Sequence, residues 1–474
     1  MQNITVNDPE SKKFSNIKTN ETFRKHFLTP GPYYTNYPTH GHWKTGVNDE
    51  KWRDYAMKYF HQYPNAPLHL YLHVPFCAKI CYYCICNVKI TNDREKMVQF
   101  TDYVCKEIEL YKSFFLELGV KPNIKEIHFG GGTPAHLPID QIKRVVDALN
   151  SLVDISSLEE FAIEIDPRVM NKDHFYEYAK MGIDRISFGV QDFNPEVQSV
   201  INRVQPFELV QSLMDLNIRK LFTGFNFDLL YGLPLQTPER WKKTLDMVLT
   251  LSPERITLLK YAHVPDVKKH MKLIPLEHLP PTNILPDMFI DAVETFTKNG
   301  YEWFGIDNFA KPSDVMSKAK YEGKLGRNFG GYTTGNVSDM ISIGPTATAT
   351  LGASYFQNLY DLRDYYSSID KSRLPNFRGH IHDGDDPLRR EIIFQIICNR
   401  VIKISEIEKK YKINFHDIFE DEINSLRELE SQGVLYFNNE KIVLTEMGHF
   451  LTRNVAQIFD KYNVNPLEYK ITGP

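Results

Sequence analysis

The hydrophobic pattern of the chain changes its period repeatedly from about residue 66 onward. Short runs of β-branched and aromatic residues predict strands. These runs cover residues 68–76, 124–132, 159–166, 184–191, 225–234, 255–264 and 301–309. Longer segments between them carry apolar residues at helical spacing, as over residues 94–115, 138–153 and 238–251. This alternation predicts parallel strands joined by right-handed crossovers, either in a β/α barrel or in an open doubly wound sheet.

Polar or glycine-rich residues follow most of the predicted strands. These elements are the cysteines within residues 77–86, GGGTP (130–134), EIDP (164–167), GVQD (189–192) and DLLYGLP (228–234). In a β/α barrel the carboxyl ends of the strands are the edge at which an active site is assembled. We therefore expect these elements to form one composite site.

The last third of the chain has a different pattern. The alternation stops near residue 310, and a stretch rich in Gly and Thr over residues 326–344 is predicted to be a loop. From about residue 385 the pattern predicts helix, helix and hairpin, with two short strands around Asn438–Asn439, which resembles a winged helix. The segment FEDEINSLRELE (419–430) carries no basic recognition stripe, so a lid or docking role is expected and nucleic-acid binding is not.

Composition and charge narrow the class of protein. The chain of 474 residues is 42% hydrophobic and 24% charged, and its formal net charge is -4. This balance argues against an extended polyanion-binding surface. The N-terminus is polar, and no uninterrupted apolar stretch approaches the ~18 residues of a membrane span. We expect a cytoplasmic protein without a membrane span.

Four of the six cysteines fall within ten positions of each other. Cys77, Cys81 and Cys84 are spaced C-x3-C-x2-C, and Cys86 follows two residues later. Clustered thiols in a long intracellular chain indicate a metal site or a redox role. The remaining cysteines lie in apolar helical patterns and are expected to be small buried hydrophobic residues: Cys105 and Cys398.

The spacing of the first three cysteines favours an iron–sulfur cluster over zinc. Short loops that gather several thiolates are typical of iron–sulfur ligation. A structural zinc site takes four ligands, commonly as two separated pairs, and the sequence has no second C-x-x-C. Three cysteines on a [4Fe–4S] cluster leave one iron without a protein ligand. Such an iron can bind a substrate or a cofactor directly.

This motif, with Tyr83 before its last cysteine and a YxHxPFC strand (71–77) in front of it, resembles that of the radical S-adenosylmethionine superfamily. The resemblance implies a [4Fe–4S] cluster held by Cys77, Cys81 and Cys84, with S-adenosylmethionine on the fourth iron. It also implies that one electron cleaves this cofactor to methionine and a 5′-deoxyadenosyl radical, which abstracts a hydrogen atom from the substrate.

Within that superfamily the chain is similar to the oxygen-independent coproporphyrinogen oxidase group over nearly its whole length. The matching segments are GPYYTNYPT (31–39), YLHVPFCAKICYYCICN (71–87), HFGGGTPAHL (128–137), IEIDPR (163–168), ISFGVQDFNPEVQSVINR (186–203), FDLLYGLPLQT (227–237), YAHVP (261–265), GRNFGGYTT (326–334) and RREIIFQIICN (389–399). The resemblance implies that the protein converts two propionates of coproporphyrinogen III to vinyls, with loss of carbon dioxide, in haem biosynthesis.

The same resemblance implies the architecture and the partners. Residues 66–310 would form a partial (β/α)6 barrel, preceded by an N-terminal extension over the site (1–65). Residues 311–384 would connect the barrel to a mainly helical, winged-helix-like C-terminal domain (385–474) and contribute to the active site. The partners would be a porphyrinogen substrate and a reducing protein such as flavodoxin or ferredoxin, and the protein would be a monomer.

Binding residues follow from the matching motifs. The cluster-bound S-adenosylmethionine would be held by Tyr71, Gly131 and Glu164. A second S-adenosylmethionine would be held by Tyr83, Gly132, Thr133, Gln191, Arg203, Asp228 and Ala262. These residue types suit the role, because an arginine can pair with a carboxylate through two hydrogen bonds and an aspartate can accept from an amine or a ribose.

Five positions depart from the pattern of that group, and all are expected near the substrate. They are Tyr33 in place of arginine, Ile85 in place of glycine, Asn308 in place of histidine, Gly330 in place of glutamine, and Thr348 in place of an apolar residue. The lost arginine matters because an ionised propionate is costly to bury without a cationic partner. Other cations could replace it: Lys260, Lys311 or Arg327.

The departures leave two other functions open. One is a radical methyltransferase that uses two molecules of S-adenosylmethionine and acts on an aromatic ring such as menaquinone or another quinone. The other is a haem chaperone, although relatives of that kind generally lack the fourth cysteine and the long N-terminal motif that this chain has in Cys86 and residues 31–39. Two adjacent residues bear on the choice of substrate in opposite directions, because Cys86 fits the coproporphyrinogen oxidase group and Ile85 departs from it.

Overall fold

Helices and strands alternate through residues 9–335, 337–438 and 440–462, the parts of the chain that a computed structural model describes. The described strands are β1 (Lys44–Thr45), β2 (Pro67–Val74), β3 (Phe76–Cys77), β4 (Lys89–Ile90), β5 (Asn123–Gly131), β6 (Glu160–Ile165), β7 (Arg185–Gln191), β8 (Gly224–Tyr231), β9 (Arg255–Lys260), β10 (Glu302–Phe304), β11 (Asn308–Ala310), β12 (Gly326–Asn328), β13 (Gly331–Thr333), β14 (Asp339–Ile343), β15 (Thr348–Leu351), β16 (Ser354–Asn358), β17 (Asn376–His380), β18 (Val401–Lys403), β19 (Leu435–Asn438) and β20 (Lys441–Leu444).

The described α-helices follow the same order. They are α1 (Pro9–Thr19), α2 (Glu21–Leu28), α3 (Asp49–Gln62), α4 (Arg94–Leu118), α5 (Ile139–Leu149), α6 (Lys172–Lys180), α7 (Pro195–Val200), α8 (Phe207–Leu213), α9 (Leu216–Arg219), α10 (Pro238–Leu251), α11 (Leu285–Lys298), α12 (Val315–Tyr321), α13 (Leu362–Asp370), α14 (Asp386–Asn399), α15 (Ile404–Tyr411), α16 (Phe415–Ile418), α17 (Glu420–Ser431), α18 (Glu446–Phe450) and α19 (Thr452–Gln457).

One large sheet runs through the molecule. Its thirteen strands lie in the order β1-β17-β16-β15-β14-β2-β5-β6-β7-β8-β9-β11-β10. The strands from β14 to β9 are parallel to one another. Helices connect the successive strands from β2 to β9 along the chain. Parallel strands with helical crossovers, in a sheet with two free ends, confirm the predicted partial (β/α)6 barrel.

The two faces of the central strands have different compositions. In β2, Leu68, Leu70 and Leu72 are buried on one face, whereas Tyr71 and His73 lie on the other. Side chains alternate between the faces of a strand, so each parallel strand contributes its polar residues to the same side of the sheet. The parallel registers also bring the carboxyl ends of β2, β5, β6, β7, β8 and β9 to one edge.

The prediction of a single strand over residues 301–309, the last strand of the barrel, is wrong. Residues 301–309 form parts of two short strands, β10 and β11, which pair with each other antiparallel. Gly305, between them, has φ +59, a left-handed conformation that reverses the chain direction. Because of this turn, β11 returns along β9 antiparallel to it, and the parallel part of the sheet ends at β9.

The prediction of a loop over residues 326–344 is also corrected. This stretch contains the hairpin β12–β13 and all of β14, which pairs parallel with β2 inside the main sheet. All five residues of β14, DMISI, are buried. A short buried strand has no alternating pattern, so the period of the sequence does not distinguish it from a loop.

The C-terminal part matches the predicted winged-helix arrangement. Helix α14 leads into the short strand β18, and helices α15 to α17 precede the hairpin β19–β20. The three strands form a separate sheet in the order β18-β20-β19. Cys398 on α14 is buried as expected, whereas Cys105 on α4 is only partly buried.

The N-terminal segment packs against this C-terminal part. The ring of Phe23 on α2 lies edge-on to that of Phe450 on α18, with the ring centroids 5.9 Å apart. The hydroxyl of Tyr34 donates to Oδ2 of Asp460 at 3.0 Å. The described N-terminal segment and the described C-terminal part therefore pack against each other. In the described ranges, no helix has the length and apolar character needed to cross a membrane.

Candidate active site at the carboxyl edge of the sheet

A cavity of about 920 Å³ opens where the parallel strands end. Its walls come from the ends of β5 to β9, the cysteine loop after β2, residues 28–36 of the N-terminal segment, and Arg453 of α19. Twelve of the predicted site residues line it: Cys77, Cys81, Cys84, Tyr83, Gly131, Gly132, Thr133, Glu164, Gln191, Arg203, Asp228 and Ala262. The tertiary structure thus gathers residues that are up to 185 positions apart, from Cys77 to Ala262, around one space.

The cysteine loop is closed at its base by backbone pairing. Strand β3 pairs parallel with β4, so residues 77 and 90 are neighbours and the cysteines lie on the loop between them. The amide of Lys89 donates to the carbonyl of Pro75 at 2.6 Å, and that of Thr91 donates to the carbonyl of Cys77 at 3.2 Å. The loop therefore has a fixed start and end while its thiols face the cavity.

Polar side chains from other segments hold the carbonyls of this loop. Asn202 Nδ2 donates to the Ile80 carbonyl at 2.8 Å, and His270 Nε2 donates to the Cys84 carbonyl at 2.7 Å. Lys268 Nζ donates to the Cys86 carbonyl at 3.3 Å. Neither His270 nor Lys268 is predicted from the sequence, because they lie 186 and 182 positions from the residues that they contact and belong to none of the matched motifs.

Two guanidinium groups surround the buried thiol of Cys81. Arg168 Nη2 lies 3.3 Å from the sulfur and Arg203 Nη1 lies 3.5 Å from it. Both arginines also bind Oδ2 of Asp166, at 2.6 and 3.1 Å. Burial alone would raise the pKa of Asp166, but Arg203 and Arg168 outweigh it and lower the pKa to about 2. Two cations therefore lie in contact with the sulfur that the motif assigns to the cluster.

The glycines after β5 form a tight backbone cradle beside the cysteine loop. Gly131 has φ +112, and a Cβ placed there would lie 2.6 Å from the ring of His73. A Cβ at Gly132 would lie 2.9 Å from the carbonyl oxygen of Phe76. Thr133 follows, with its hydroxyl 3.5 Å from the sulfur of Cys77. Only glycine at positions 131 and 132 lets the backbone come so close to the cysteine loop and to His73.

Glu164 lies at the centre of a small polar cluster at the end of β6. Its Oε2 accepts a hydrogen bond from the amide of Gly131 at 3.2 Å, and its Oε1 lies 3.0 Å from His128 Nε2. Tyr71 stacks on His128 and its hydroxyl lies 3.2 Å from His73 Nδ1. All of the predicted site residues lie in the described chain, and Tyr71 is the one that does not line the cavity. It contacts this cluster through His128 and His73.

The other strand ends contribute acceptors and a left-handed turn. Asp228 on β8 accepts from Asn226 Nδ2 at 2.8 Å and from Ser187 Oγ at 3.1 Å. Burial, and to a smaller degree the charge of Glu164, raise the pKa of Asp228 to about 6. Gln191 ends β7 with φ +64. Besides the arginine-paired Asp166, the ends of β6, β7 and β8 therefore present the carboxylates of Glu164 and Asp228 and the amide of Gln191 to the same cavity.

Three of the departures from the expected motifs lie away from the cavity. Tyr33 and Ile85 line it, as expected. Asn308 instead donates to Asp307 Oδ1 at 2.7 Å, Gly330 donates its amide to Asn328 Oδ1 at 2.8 Å, and Thr348 is fully buried in β15. These three residues do not line the cavity, and the expectation that they lie near the substrate stays a prediction.

The candidate cations also divide. Lys260 at the end of β9 and Arg327 on β12 line the cavity. Lys311 does not, since it pairs with Glu254 at 3.1 Å and donates to the carbonyl of Ser252 at 2.9 Å. Arg453, which no sequence motif indicates, lies over the ring of Tyr33, with its guanidinium carbon 5.1 Å from the ring centroid.

The donor set suits a multi-iron cluster. Among the described residues, no three His, Cys, Asp or Glu side chains are grouped as ligands of one metal ion. In a [4Fe–4S] cluster each thiolate binds a different iron, so the thiols surround the cluster and do not meet at one point. Cys77, Cys81 and Cys84 lie on one loop along one cavity wall, next to the glycine cradle and the Asp166-paired arginines, and these residues fit such a group.

Comparison with known sequence families agrees with this geometry. The family described as "Radical SAM superfamily" matches residues 71–248, and the one described as "HemN C-terminal domain" matches residues 383–451. The fold and the cysteine loop thus define a radical S-adenosylmethionine (SAM) protein, which uses a [4Fe–4S] cluster and S-adenosylmethionine.

Curated relatives identify the family within that superfamily. A protein of Helicobacter pylori named oxygen-independent coproporphyrinogen III oxidase is 37% identical over 92% of this chain and 95% of its own length. One of Escherichia coli with the same name is 35% identical over 91% of this chain and 93% of its own length. This chain belongs to the oxygen-independent coproporphyrinogen III oxidase family.

A solved structure supports the assignment at the level of the fold. The structure titled "Coproporphyrinogen III oxidase (HemN) from Escherichia coli is a Radical SAM enzyme" superimposes with a TM-score of 0.85 at 35% identity. The match covers 91% of this chain and 97% of that one. The similarity therefore includes the N-terminal segment and the C-terminal part as well as the barrel.

Proposed function

We propose that this protein oxidises coproporphyrinogen III, converting two of its propionates to vinyls without oxygen. The observation that carries the proposal is the cavity, in which twelve residues chosen from sequence motifs line one space of about 920 Å³. That volume is at the upper end of the usual range for small-molecule sites. The names of the relatives supply the substrate.

In this proposal, different residues around the cavity bind the cluster and each of the two S-adenosylmethionine molecules. Cys77, Cys81 and Cys84 hold the [4Fe–4S] cluster. Gly131 and Glu164 hold the S-adenosylmethionine on its open iron, with Tyr71 as support. A second S-adenosylmethionine is bound by the following residues: Tyr83, Gly132, Thr133, Gln191, Arg203, Asp228 and Ala262. Because Arg203 is already paired with Asp166, it contributes its remaining donors and its position to that site.

When bound, the cluster and S-adenosylmethionine supply a radical that removes one hydrogen atom from a propionate side chain. The propionate then releases its carboxyl group as carbon dioxide, and one electron passes to an external one-electron acceptor, which leaves a vinyl group. The chain's own residues fix the substrate at the cofactor and exclude water. The N-terminal segment (1–65), the connecting segment (311–384) and the C-terminal domain (385–474) complete the walls around the barrel (66–310).

The remaining partners belong to the same proposal. Reducing equivalents come from a small redox protein such as flavodoxin or ferredoxin, since the cluster requires one electron for each cleavage. The protein acts in the cytoplasm as a monomer. Nucleic acid is not a partner, in agreement with a net charge of -4 and the acidic first turn of α17.

The test uses anaerobically reconstituted protein, reductant and coproporphyrinogen III. The wild type is expected to give a product that has lost two carbon dioxide molecules and four hydrogens by mass, together with a [4Fe–4S] absorption spectrum. Cys81→Ala should lose both. Cys105→Ala removes a partly exposed thiol on α4 outside the cavity, and this control should keep both.

Two results would contradict the proposal. Retained cluster content and full turnover in Cys81→Ala would refute the cluster assignment. A methylated quinone, with no decarboxylation of coproporphyrinogen III, would instead identify a methyltransferase.

A further inference from the structure

Four Lys and Arg side chains of the described residues line the cavity without an ion-pair partner, and one of them, Lys79, is exposed to solvent. The other three are Lys260, Arg327 and Arg453. Lys260 comes from β9, Arg327 from β12 and Arg453 from α19, and all three contribute to the cavity wall. In the part of the chain that the structure describes, none of them has a carboxylate oxygen within 4.0 Å. By contrast, Arg203, which also lines the cavity, is paired with Asp166 at 3.1 Å.

The two arginines are held in place by aromatic rings, which leaves donors free. The guanidinium carbon of Arg453 lies 5.1 Å from the ring centroid of Tyr33, and its Nη1 donates to the Gly31 carbonyl at 3.0 Å. The guanidinium carbon of Arg327 lies 4.3 Å from the ring centroid of Tyr332. Arg327 is 7% exposed, and its Nε is buried without a hydrogen-bond partner in the described residues. Stacking fixes each planar group without neutralising its charge.

One acidic group, Asp307, interacts with Arg327 and Arg453, whereas the other carboxylates of the cavity wall, Glu164, Asp166 and Asp228, lie at the ends of β6 and β8. Asp307 is buried and accepts from Asn308 Nδ2 at 2.7 Å. Burial raises its pKa to about 6, although Arg327 and then Arg453 act in the opposite direction. Burial, followed by the charge of Arg453, lowers the pKa of Lys260. The three cations therefore exceed the nearby carboxylate in number, and the excess charge is positive.

Buried charges are costly unless they are paired, so an excess of cations in a cavity calls for an anion. We propose that Lys260, Arg327 and Arg453 form a carboxylate-binding subsite, which holds a propionate side chain of the substrate. The planar forks of the arginines match carboxylate geometry through two hydrogen bonds each. This inference rests on the proposed function for the identity of the substrate, whereas the anion specificity follows from the cations themselves.

The subsite gives the C-terminal part a role in recognition. Arg453 lies on α19, and Tyr33, beneath it, lies on the N-terminal segment. Tyr33 is a positioning residue here, because its ring orients the guanidinium and offers the substrate no charge. Substrate recognition therefore requires both ends of the chain to be docked on the barrel.

The experiment compares Arg453→Gln and Arg327→Gln with wild type. Coproporphyrin III, the unreactive oxidised porphyrin, is titrated by fluorescence, and KM and kcat are measured with coproporphyrinogen III. Loss of one charge-assisted carboxylate contact should raise Kd and KM about tenfold or more. The value of kcat at saturating substrate should change less than about threefold, and Arg453→Lys should recover part of the affinity.

Arg363→Gln is the matched control. This arginine is on α13, is 92% exposed and lies outside the cavity, so its removal should change neither Kd nor KM. Thermal unfolding of each variant shows whether it is folded. If Arg453→Gln is not folded, Arg327→Gln tests the subsite independently.

A second probe separates this inference from the proposed substrate. Benzenehexacarboxylate should raise the Tm of wild type and of Arg363→Gln, and it should raise the Tm of Arg453→Gln and Arg327→Gln much less. If porphyrin neither binds nor reacts but this difference is seen, the subsite stands and the proposed substrate falls. If coproporphyrinogen III reacts with unchanged Kd and KM in both arginine variants, the proposed function stands and the subsite is refuted.

Discussion

Residue 131 is glycine for two separate reasons. Its φ of +112 is a backbone conformation that residues with a Cβ rarely adopt, and a Cβ there would also lie 2.6 Å from the ring of His73. That ring is itself held, because its Nε2 lies 3.1 Å from the carbonyl of Asn87 and its Nδ1 lies 3.2 Å from the hydroxyl of Tyr71. The ring therefore has little freedom to move away.

Gly131→Ala should lower the free energy of unfolding by about 2 kcal/mol or more, through backbone strain together with displacement of His73. Binding of S-adenosylmethionine should weaken as well, since the cradle carries its proposed site. Urea unfolding and equilibrium binding of the cofactor measure the two effects.

Gly46→Ala is the control for backbone strain alone. Gly46 has φ +81, but a Cβ there would meet nothing within 4 Å. This variant should lose about 1 kcal/mol of stability and bind the cofactor normally. Equal losses of stability in the two variants would show that contact with His73 contributes nothing.

At the scale of elements, a buried carboxyl group on the long helix α4 forms hydrogen bonds with residues near β14, β16 and α13. Glu107 on α4 is fully buried and accepts from Gly344 N at 2.8 Å, Asn358 Nδ2 at 3.0 Å and Tyr365 Oη at 2.5 Å. Burial raises its pKa to about 7, even though these three donors lower it. The folded state therefore binds a proton here more tightly than the unfolded chain does.

This raised pKa predicts a pH-dependent contribution to stability. The contribution is complete below the unfolded pKa of about 4.5 and is lost as the pH rises toward the folded value of about 7. Glu107→Gln cannot titrate. The unfolding free energy of wild type relative to this variant should therefore fall by about 1–3 kcal/mol between pH 5 and pH 8 in urea titrations.

Glu117→Gln on the same helix is the comparison, because Glu117 is exposed. Its difference from wild type should not depend on pH. A constant difference for Glu107→Gln across the same range would mean that Glu107 keeps one protonation state in the folded protein.

For the whole molecule, the contact between the two ends of the chain is central. Tyr34 is 1% exposed, and its hydroxyl donates to Asp460 at 3.0 Å. Tyr34 is adjacent in sequence to Tyr33, and Asp460 follows Arg453 by seven positions; Tyr33 and Arg453 both line the cavity. The cavity is therefore complete only when the N-terminal segment and the C-terminal part are packed together.

Tyr34→Phe should lower the free energy of unfolding by about 1–2 kcal/mol, because it removes one donor from a buried carboxylate. Hydrogen exchange of residues 20–35 should become faster in the same variant. Tyr176→Phe provides the comparison, since Tyr176 is 42% exposed, and it should change neither quantity. Unchanged exchange in Tyr34→Phe would mean that this contact does not hold the segment.

The sequence by itself determined the barrel and one side of its site. The strand and helix periods and the spacing of Cys77, Cys81 and Cys84 are local patterns, so they can be read without knowing how the chain folds. The polar elements after the strands were placed correctly for a similar reason, because parallel strands bring their carboxyl ends to a common edge.

The tertiary structure alone decided the rest. Strand β14 depends on pairing with β2, and β11 depends on pairing with β9, segments far from them in the sequence, and the hydrophobic period does not encode such pairing. The supports of the cysteine loop, such as His270, and the cation Arg453 are isolated polar residues in the sequence. Their roles come from neighbours up to 420 positions away, as Arg453 is from Tyr33, and only packing of both chain ends on the barrel creates that proximity.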